Sequence, residues 1–272
     1  MRSVSGRTGE YPIEHREGEI ERLKVQDTAW APATAGLFDA IGVAPGWRCL
    51  DLGCGPGFLT LALAGQVGPD GSVTGLDYDA EFVAIANAMA PSNVTFVTAD
   101  AYDTLLPDGS FDFVHTRFLG CTAGKPERLL AEAVRLTRPG GYVAVQEADF
   151  LTLRCYPPHR AWIELVEIFC GCFPPQGDYS IGQQMYGMMQ SAGLTDVSYR
   201  PYVVGVRAGD PWNDYLPRTV EMMAETVHGR LGVAHERLSG LLADCRFHLA
   251  QPTTVFVSPM LVQTWGRVPS AA

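Results

Sequence analysis

An α/β fold with a doubly wound, parallel sheet is predicted by three observations. Short apolar runs alternate with helical patterns from residue 47 to residue 147. A glycine turn, Gly53-Cys54-Gly55-Pro56-Gly57, joins the first run to the first of those helices. Charged residues then fall at or near the ends of successive runs: Asp51, Asp77, Asp100, Arg117 and Glu147. Right-handed crossovers bring such run ends to one edge of a sheet, where ligands bind near the point of strand reversal.

The N-terminal segment comes first. Residues 1–12 are polar and without period, and read as disordered. From Ile13 to about Trp30 the pattern is helical, with Ile20, Leu23 and Trp30 on related faces and Glu14, Glu17, Glu19 and Glu21 near the start, where the helix dipole favours acids. This is either a helix packed on the domain or an arm that closes over a ligand, with Tyr11, His15, Gln26 and Trp30 as its contacts. A second helix is expected from Pro32 to Ile41. The expected division is an arm at 1–30, a ligand-binding core at 31–150 and a remainder at 151–272.

In the core, Trp47 to Leu52 is a buried strand and Leu59 begins an apolar helix. Glycines in the turn between them let the backbone close on a ligand. The unpaired N–H groups at the new helix start favour an acceptor-rich one. Dinucleotide-binding turns are spaced G-x-G-x-x-G. Here the spacing is G-x-G-x-G after Asp51, an acid that repels a pyrophosphate but suits a cation such as an amino group. A second strand, Ser72 to Leu76, ends at Asp77. Asp79 fits the cap of the next helix, which leaves Asp77 for a ligand. The third strand, Asn93 to Thr98, leads to Asp100-Ala101; the fourth, Phe113 to Phe118, carries His115 and Arg117. Pro126 opens a helix that stops at Arg138-Pro-Gly-Gly141, and Tyr142 to Glu147 is the fifth strand.

Composition narrows the partners. The net charge is −10 and lysine occurs only at Lys24 and Lys125, so nucleic acid is a poor partner. No apolar run approaches the ~18 residues of a membrane span. The seven cysteines have no metal-ligand spacing and read as free thiols in a reducing cytoplasm. No metal is expected.

The stretch Asp51-Leu-Gly-Cys-Gly-Pro-Gly57 resembles the first motif of the class I S-adenosylmethionine (SAM) dependent methyltransferases. Pro107-x-x-x-Phe111-Asp112 and Leu136-x-Arg-Pro-Gly-Gly-x-Val143 resemble two further phrases of that family. The resemblance covers about residues 47–150. It implies a Rossmann-like, seven-stranded, mostly parallel sheet, with residues 253–265 as a seventh strand inserted antiparallel near its edge and helical lid insertions over the site. It implies SAM as cofactor, held by Asp51, Gly53, Cys54, Gly55, Gly57, Asp77, Tyr78, Asp100, Ala101 and Arg117. Asp77 would take the ribose hydroxyls, Asp100 the adenine amino group, and Arg117 a carboxylate.

Methyl transfer from a sulfonium requires alignment and exclusion of water, with a base only for some acceptors. His115, Glu147 and His159 are the expected catalytic residues; Asp149 and His228 are further candidates. Met and aromatic residues in 151–180 and 205–250 suggest an adaptable apolar pocket for a small-molecule acceptor, such as a secondary metabolite. The alternatives are a SAM-binding enzyme of another reaction, such as a cyclisation, or a regulatory SAM-binding subunit. A homodimer is compatible with the sequence, which does not set the oligomeric state.

Overall fold

A computed structural model describes residues 18–175 and 177–270. The expected disordered segment 1–12, Tyr11 and His15 lie outside them. The chain runs α1 (Glu19–Ile41), β1 (Arg48–Leu52), α2 (Phe58–Val67), β2 (Ser72–Asp77), α3 (Ala80–Asn87), β3 (Val94–Thr98), β4 (Phe111–Arg117), α4 (Gly120–Ala123), α5 (Pro126–Leu136) and β5 (Thr137–Asp149). It continues through β6 (Arg154–Tyr156), α6 (Arg160–Gly171), α7 (Met185–Ser191), β7 (Thr195–Tyr202), β8 (Gly205–Arg207), α8 (Tyr215–Met222), α9 (Ala224–Leu231), α10 (His235–Leu249), β9 (Val255–Val257) and β10 (Met260–Arg267).

Among the described residues the main sheet has seven strands in the order β3-β2-β1-β4-β5-β10-β7. β1 to β5 are parallel. β10 enters antiparallel between β5 and β7. The order reverses between β1 and β4, so the crevice at their carboxyl ends is the ligand position of an open α/β sheet.

Alternation along the strands splits the core in two. Cys49, Val73, Phe96 and Phe113 pack with the end of α1, α2 and α3 on one face. Leu50, Leu76, Val114, Val143 and Val145 pack on the other with α5 and with the helices after β5. Those later helices form a roof rich in rings, where Phe150, Phe169, Phe173 and Tyr179 form a chain of ring contacts with centroids 4.8–5.9 Å apart.

Three expectations change. The two N-terminal helices are one, with Pro32 inside. Proline removes only the single hydrogen bond to the Thr28 carbonyl, while burial of Trp30, Ala33, Leu37, Phe38 and Ile41 keeps the helix continuous through it. The segment 253–265 is not one strand: Ser258-Pro259 interrupts it, and Pro259 has no N–H to continue a ladder. Val255–Val257 therefore joins a separate three-stranded sheet, β6-β9-β8, and only Met260–Arg267 enters the main sheet. Residues 180–192, with Met185, Met188 and Met189, read in the sequence as one helix, but form a short 3-10 turn, Ile181–Gln183, followed by α7. Among the described residues no helix is long and apolar enough to cross a membrane.

Candidate active site

The turn between β1 and α2 is built on left-handed backbone, with φ of 79° at Gly53, 51° at Gly55 and 86° at Gly57. The glycines differ in what surrounds them. A Cβ on Gly57 would lie 2.7 Å from the Phe96 ring, so this glycine is required by packing. A Cβ on Gly55 would meet nothing within 4 Å, so this glycine faces open space at the crevice. The Gly53 side is bounded by Leu119, just beyond β4. Gly53 and Cys54 donate their N–H groups to Leu76 of β2, which ties the turn to the neighbouring strand.

Asp77 closes the turn. Its Oδ2 accepts the Gly55 N–H at 2.8 Å and its Oδ1 accepts the Asp79 N–H at 2.9 Å. Burial raises its pKa, against the two N–H donors that favour the carboxylate. Asp79 caps α3, accepting from Glu81 and Phe82, as the sequence suggested. Tyr78 is 48% exposed beside Asp77. Asp100 is exposed just past β3, its Oδ1 accepting the Tyr102 N–H at 2.9 Å, and half-buried Ala101 follows it. These residues therefore line one edge of the sheet. Cys54 contributes backbone rather than thiol, since burial pushes its pKa well up and leaves it a neutral S–H.

Two members of the expected set do not face the crevice freely. Asp51 is buried, with Oδ2 accepting from the Thr60 hydroxyl at 2.6 Å and Oδ1 3.5 Å from His115 Nδ1. It braces the start of α2 and is not presented to a ligand amino group. Arg117 is paired with Asp27 of α1 through Nη2 at 2.6 Å, and Nη1 lies 3.5 Å from the Thr34 hydroxyl. Its guanidinium ties the arm helix to the end of β4.

The expected bases are corrected as well. His115 is fully buried under α1, with the Phe38 and Phe113 rings about it at centroid distances of 6.2 and 6.0 Å. Glu147 is fully buried; it accepts the Gly120 N–H at 2.6 Å and the Cys121 N–H at 3.2 Å, and so caps the short α4. Asp149 accepts from the Leu151 N–H and from Gln183. His159 does not follow β5 into a substrate region. The chain first passes through β6 of the small sheet, and His159 precedes α6 and stacks on His248 at 4.4 Å. His228 is exposed and stacks on His235. None of these five is an uncommitted base in the crevice. Among the described residues no group of His, Cys, Asp and Glu is arranged to hold a metal ion.

Burial makes Glu147 a pH reporter, although the N–H groups it caps oppose the shift. Burial pushes it up to about 7, against an ordinary value of 4.5. A carboxyl held above its unfolded value binds its proton more tightly when folded. Its stabilising effect is then complete below pH 4.5 and is lost as the pH rises through 7. Wild-type melting temperature should fall between pH 5 and 8 relative to a Glu147→Gln variant, by the equivalent of about 3 kcal/mol at most. Parallel melting profiles for the two proteins would contradict this.

Sequence reasoning missed two features. Phe118 has φ of 57°, strained for a phenylalanine, at the residue after β4 ends. Its ring faces Trp30 of α1 at 6.4 Å, and Trp30 also meets Tyr202 at 6.2 Å and Trp212 at 5.0 Å. Tyr215 lies 4.7 Å beyond Trp212. An aromatic wall thus stands over the carboxyl end of β4. Nothing in the local sequence marks Phe118 as left-handed, and the rings come from four distant segments.

Comparison with known proteins decides the family. A methyltransferase-domain profile matches residues 50–145. An uncharacterised methyltransferase of Schizosaccharomyces pombe is 33% identical over 51% of this chain and 53% of its own length. The demethylmenaquinone methyltransferase of Staphylococcus aureus strain JH9 is 31% identical over 62% of this chain and 76% of its own length. The chain belongs to the class I SAM-dependent methyltransferases. It spans about half the length of the first curated relatives it matches. A solved phosphoethanolamine N-methyltransferase of Haemonchus contortus, in complex with phosphomonomethylethanolamine and S-adenosylhomocysteine, shares the fold. That structure is 14% identical, with a TM-score of 0.56 over 91% of this chain and 57% of the other.

The cofactor of the family, SAM, fits this edge of the sheet. The side of Gly55 is open, the first turn of α2 begins there with the N–H groups that a helix start leaves unpaired, and acids stand at the ends of β2 and β3.

Proposed function

We propose that this methyltransferase methylates a small, largely apolar acceptor held against the aromatic wall of Trp30, Phe118, Tyr202, Trp212 and Tyr215. That wall is the observation that carries the reading: its Phe118 directly follows β4 and is the neighbour of Leu119, the side chain that bounds Gly53 of the turn. Rings of this kind offer large apolar contact area with few polar demands. A relative named demethylmenaquinone methyltransferase supports the same substrate class. The net charge of −10 disfavours a polyanionic acceptor.

In this reading Gly53 to Gly57 hold the amino-acid end of SAM along the turn, Asp77 accepts from the ribose hydroxyls, and Asp100 with Ala101 meets the adenine. SAM supplies the activated methyl group when bound. The chain supplies alignment and a dry site: α1 and the roof helices exclude water, and Phe118 and Trp30 orient the acceptor. With His115, Glu147 and Asp149 all engaged elsewhere, the acceptor enters in a form that needs no strong base from these residues.

Labelled SAM offered with a panel of apolar ring compounds, charged small molecules, peptides and RNA tests this. Label is expected to move to apolar ring compounds. Transfer confined to peptides or RNA would refute the reading. SAM binding without transfer to any acceptor would favour the regulatory alternative.

A further inference from the structure

A row of buried polar side chains crosses the sheet beneath α1, on the face otherwise filled by Cys49, Phe113 and Ala144. Strand register sets it. Asp51 of β1 lies opposite His115 of β4, Gln146 of β5 lies opposite Gln263 of β10, and Gln263 lies opposite Arg200 of β7. The side chains join in two groups that meet under α1, and Gln146 Nε2, buried where the groups adjoin, has no hydrogen-bond partner among the described residues. His115 Nδ1 is 3.5 Å from Asp51 Oδ1, His115 Nε2 is 3.0 Å from Gln146 Oε1, and Arg200 Nε donates to Gln263 Oε1 at 3.1 Å.

Both ends of the row leave the sheet. At one end Asp51 accepts from Thr60, which lies in the first turn of α2 directly after the glycines. At the other, α1 sits on the row. The Thr34 hydroxyl donates to Gln146 Oε1 at 3.2 Å, and Gln263 Nε2 donates to the Ala33 carbonyl at 2.8 Å. Arg117 then links Thr34 to Asp27. Thr60, Asp51, His115, Gln146, Gln263 and Thr34 are all buried.

Polar groups so placed are costly in a core unless mutually satisfied. Apolar side chains would seat α1 more cheaply but without fixing its register. A polar row of this length gives α1 one setting, and it ties that setting to the start of α2.

We propose that this row couples the glycine turn to α1, with His115 as its central positioning residue. Occupancy of the turn orders the first turn of α2. Thr60 passes that order to Asp51, and His115 and Gln146 pass it to Thr34. The arm helix is then clamped over the crevice by the same event that fills it. His115 touches neither cofactor nor acceptor in this account. The inference rests on the turn being the cofactor site, and the experiment separates the two claims.

Hydrogen exchange measured with and without S-adenosylhomocysteine reads both ends at once. In the wild type the ligand should slow exchange in the turn, residues 53–60, and in α1, residues 19–41, each by about tenfold or more. In His115→Phe the turn should keep its protection while the α1 protection shrinks to less than about twofold. Gln146→Leu cuts the row one link further on, leaves the Asp51–His115 contact intact, and should give the same split if His115→Phe fails to fold. A purely structural row would lower melting temperature in the variants yet leave ligand protection of α1 intact, and that result would overturn the proposal. So would a wild type whose turn is protected but whose α1 is not. Absence of protection at the turn itself would instead count against the cofactor site.

Discussion

Asp77→Ala should weaken binding of S-adenosylhomocysteine about 100-fold while leaving the protein folded. The carboxylate is 8% exposed at the end of β2 and holds two backbone N–H groups, Gly55 in the turn and Asp79 at the start of α3. Alanine leaves the Gly55 N–H without its acceptor, so the turn loses its tie to β2 at the residue that faces the ligand. It also removes the acceptor proposed for the ribose hydroxyls. Hydrogen bonds to a charged group contribute about 1.5–3 kcal/mol, and each 1.4 kcal/mol is a factor of ten. Asp77→Asn keeps one carbonyl oxygen in place and should cost about tenfold. Calorimetric titration of both variants checks the order; equal affinity of Asp77→Ala and wild type would remove Asp77 from the site.

Trp30→Ala should cost about 3–5 kcal/mol of stability, the usual penalty for emptying a buried tryptophan site. Trp30 is 1% exposed and makes ring contacts with Phe118, Tyr202 and Trp212, which come from the residue after β4, from β7 and from the segment before α8. β4 and β7 are fixed by their ladders in the main sheet, β4 against β1 and β5 and β7 against β10, so they cannot close over the gap. At about 2–4 °C for each kcal/mol in a chain of this size, the melting temperature should fall by about 10 °C. Trp30→Phe keeps a ring against Trp212 and should lose about half as much. Methyl transfer by Trp30→Phe should show a raised KM for the acceptor with that for SAM unchanged. A drop of under about 1 kcal/mol for Trp30→Ala would mean that the wall is not packed as described.

The core was legible because its signals are local. Apolar runs of strand length, helical periods between them and punctuation by Gly, Pro and Asp place β1 to β4 within about two residues, whereas β5 begins at Thr137, inside the stretch expected as a helix stop. Asp79 was recognisable as a cap from its position alone. For Glu147 and Asp149 the ambiguity is physical: an ionisable residue at a strand end has two common uses, and sequence does not separate them. Glu147 and Asp149 sit where a catalytic acid would sit, but such ends are also where short helices and turns begin and need acceptors for their N–H groups. Each carboxylate is taken by those groups.

The polar row was hidden for a different reason. β4 reads as a buried strand with one histidine, and the identity of its neighbours depends on strand order and on a helix eighty residues away. Asp51 shows the consequence. Its place before the glycines suggested a ligand contact, whereas register puts it against His115 and the start of α2. The small second sheet was likewise illegible, since each of its strands is three residues long and its pairing partners are far apart in sequence.

The central claim is that the Gly53–Gly57 turn with Asp77 forms a SAM site, and calorimetric titration of the wild-type protein tests it most directly. SAM and S-adenosylhomocysteine should both bind at micromolar Kd, each with one site per chain, and NAD should not bind. Binding of NAD with no binding of either SAM or S-adenosylhomocysteine would contradict the account.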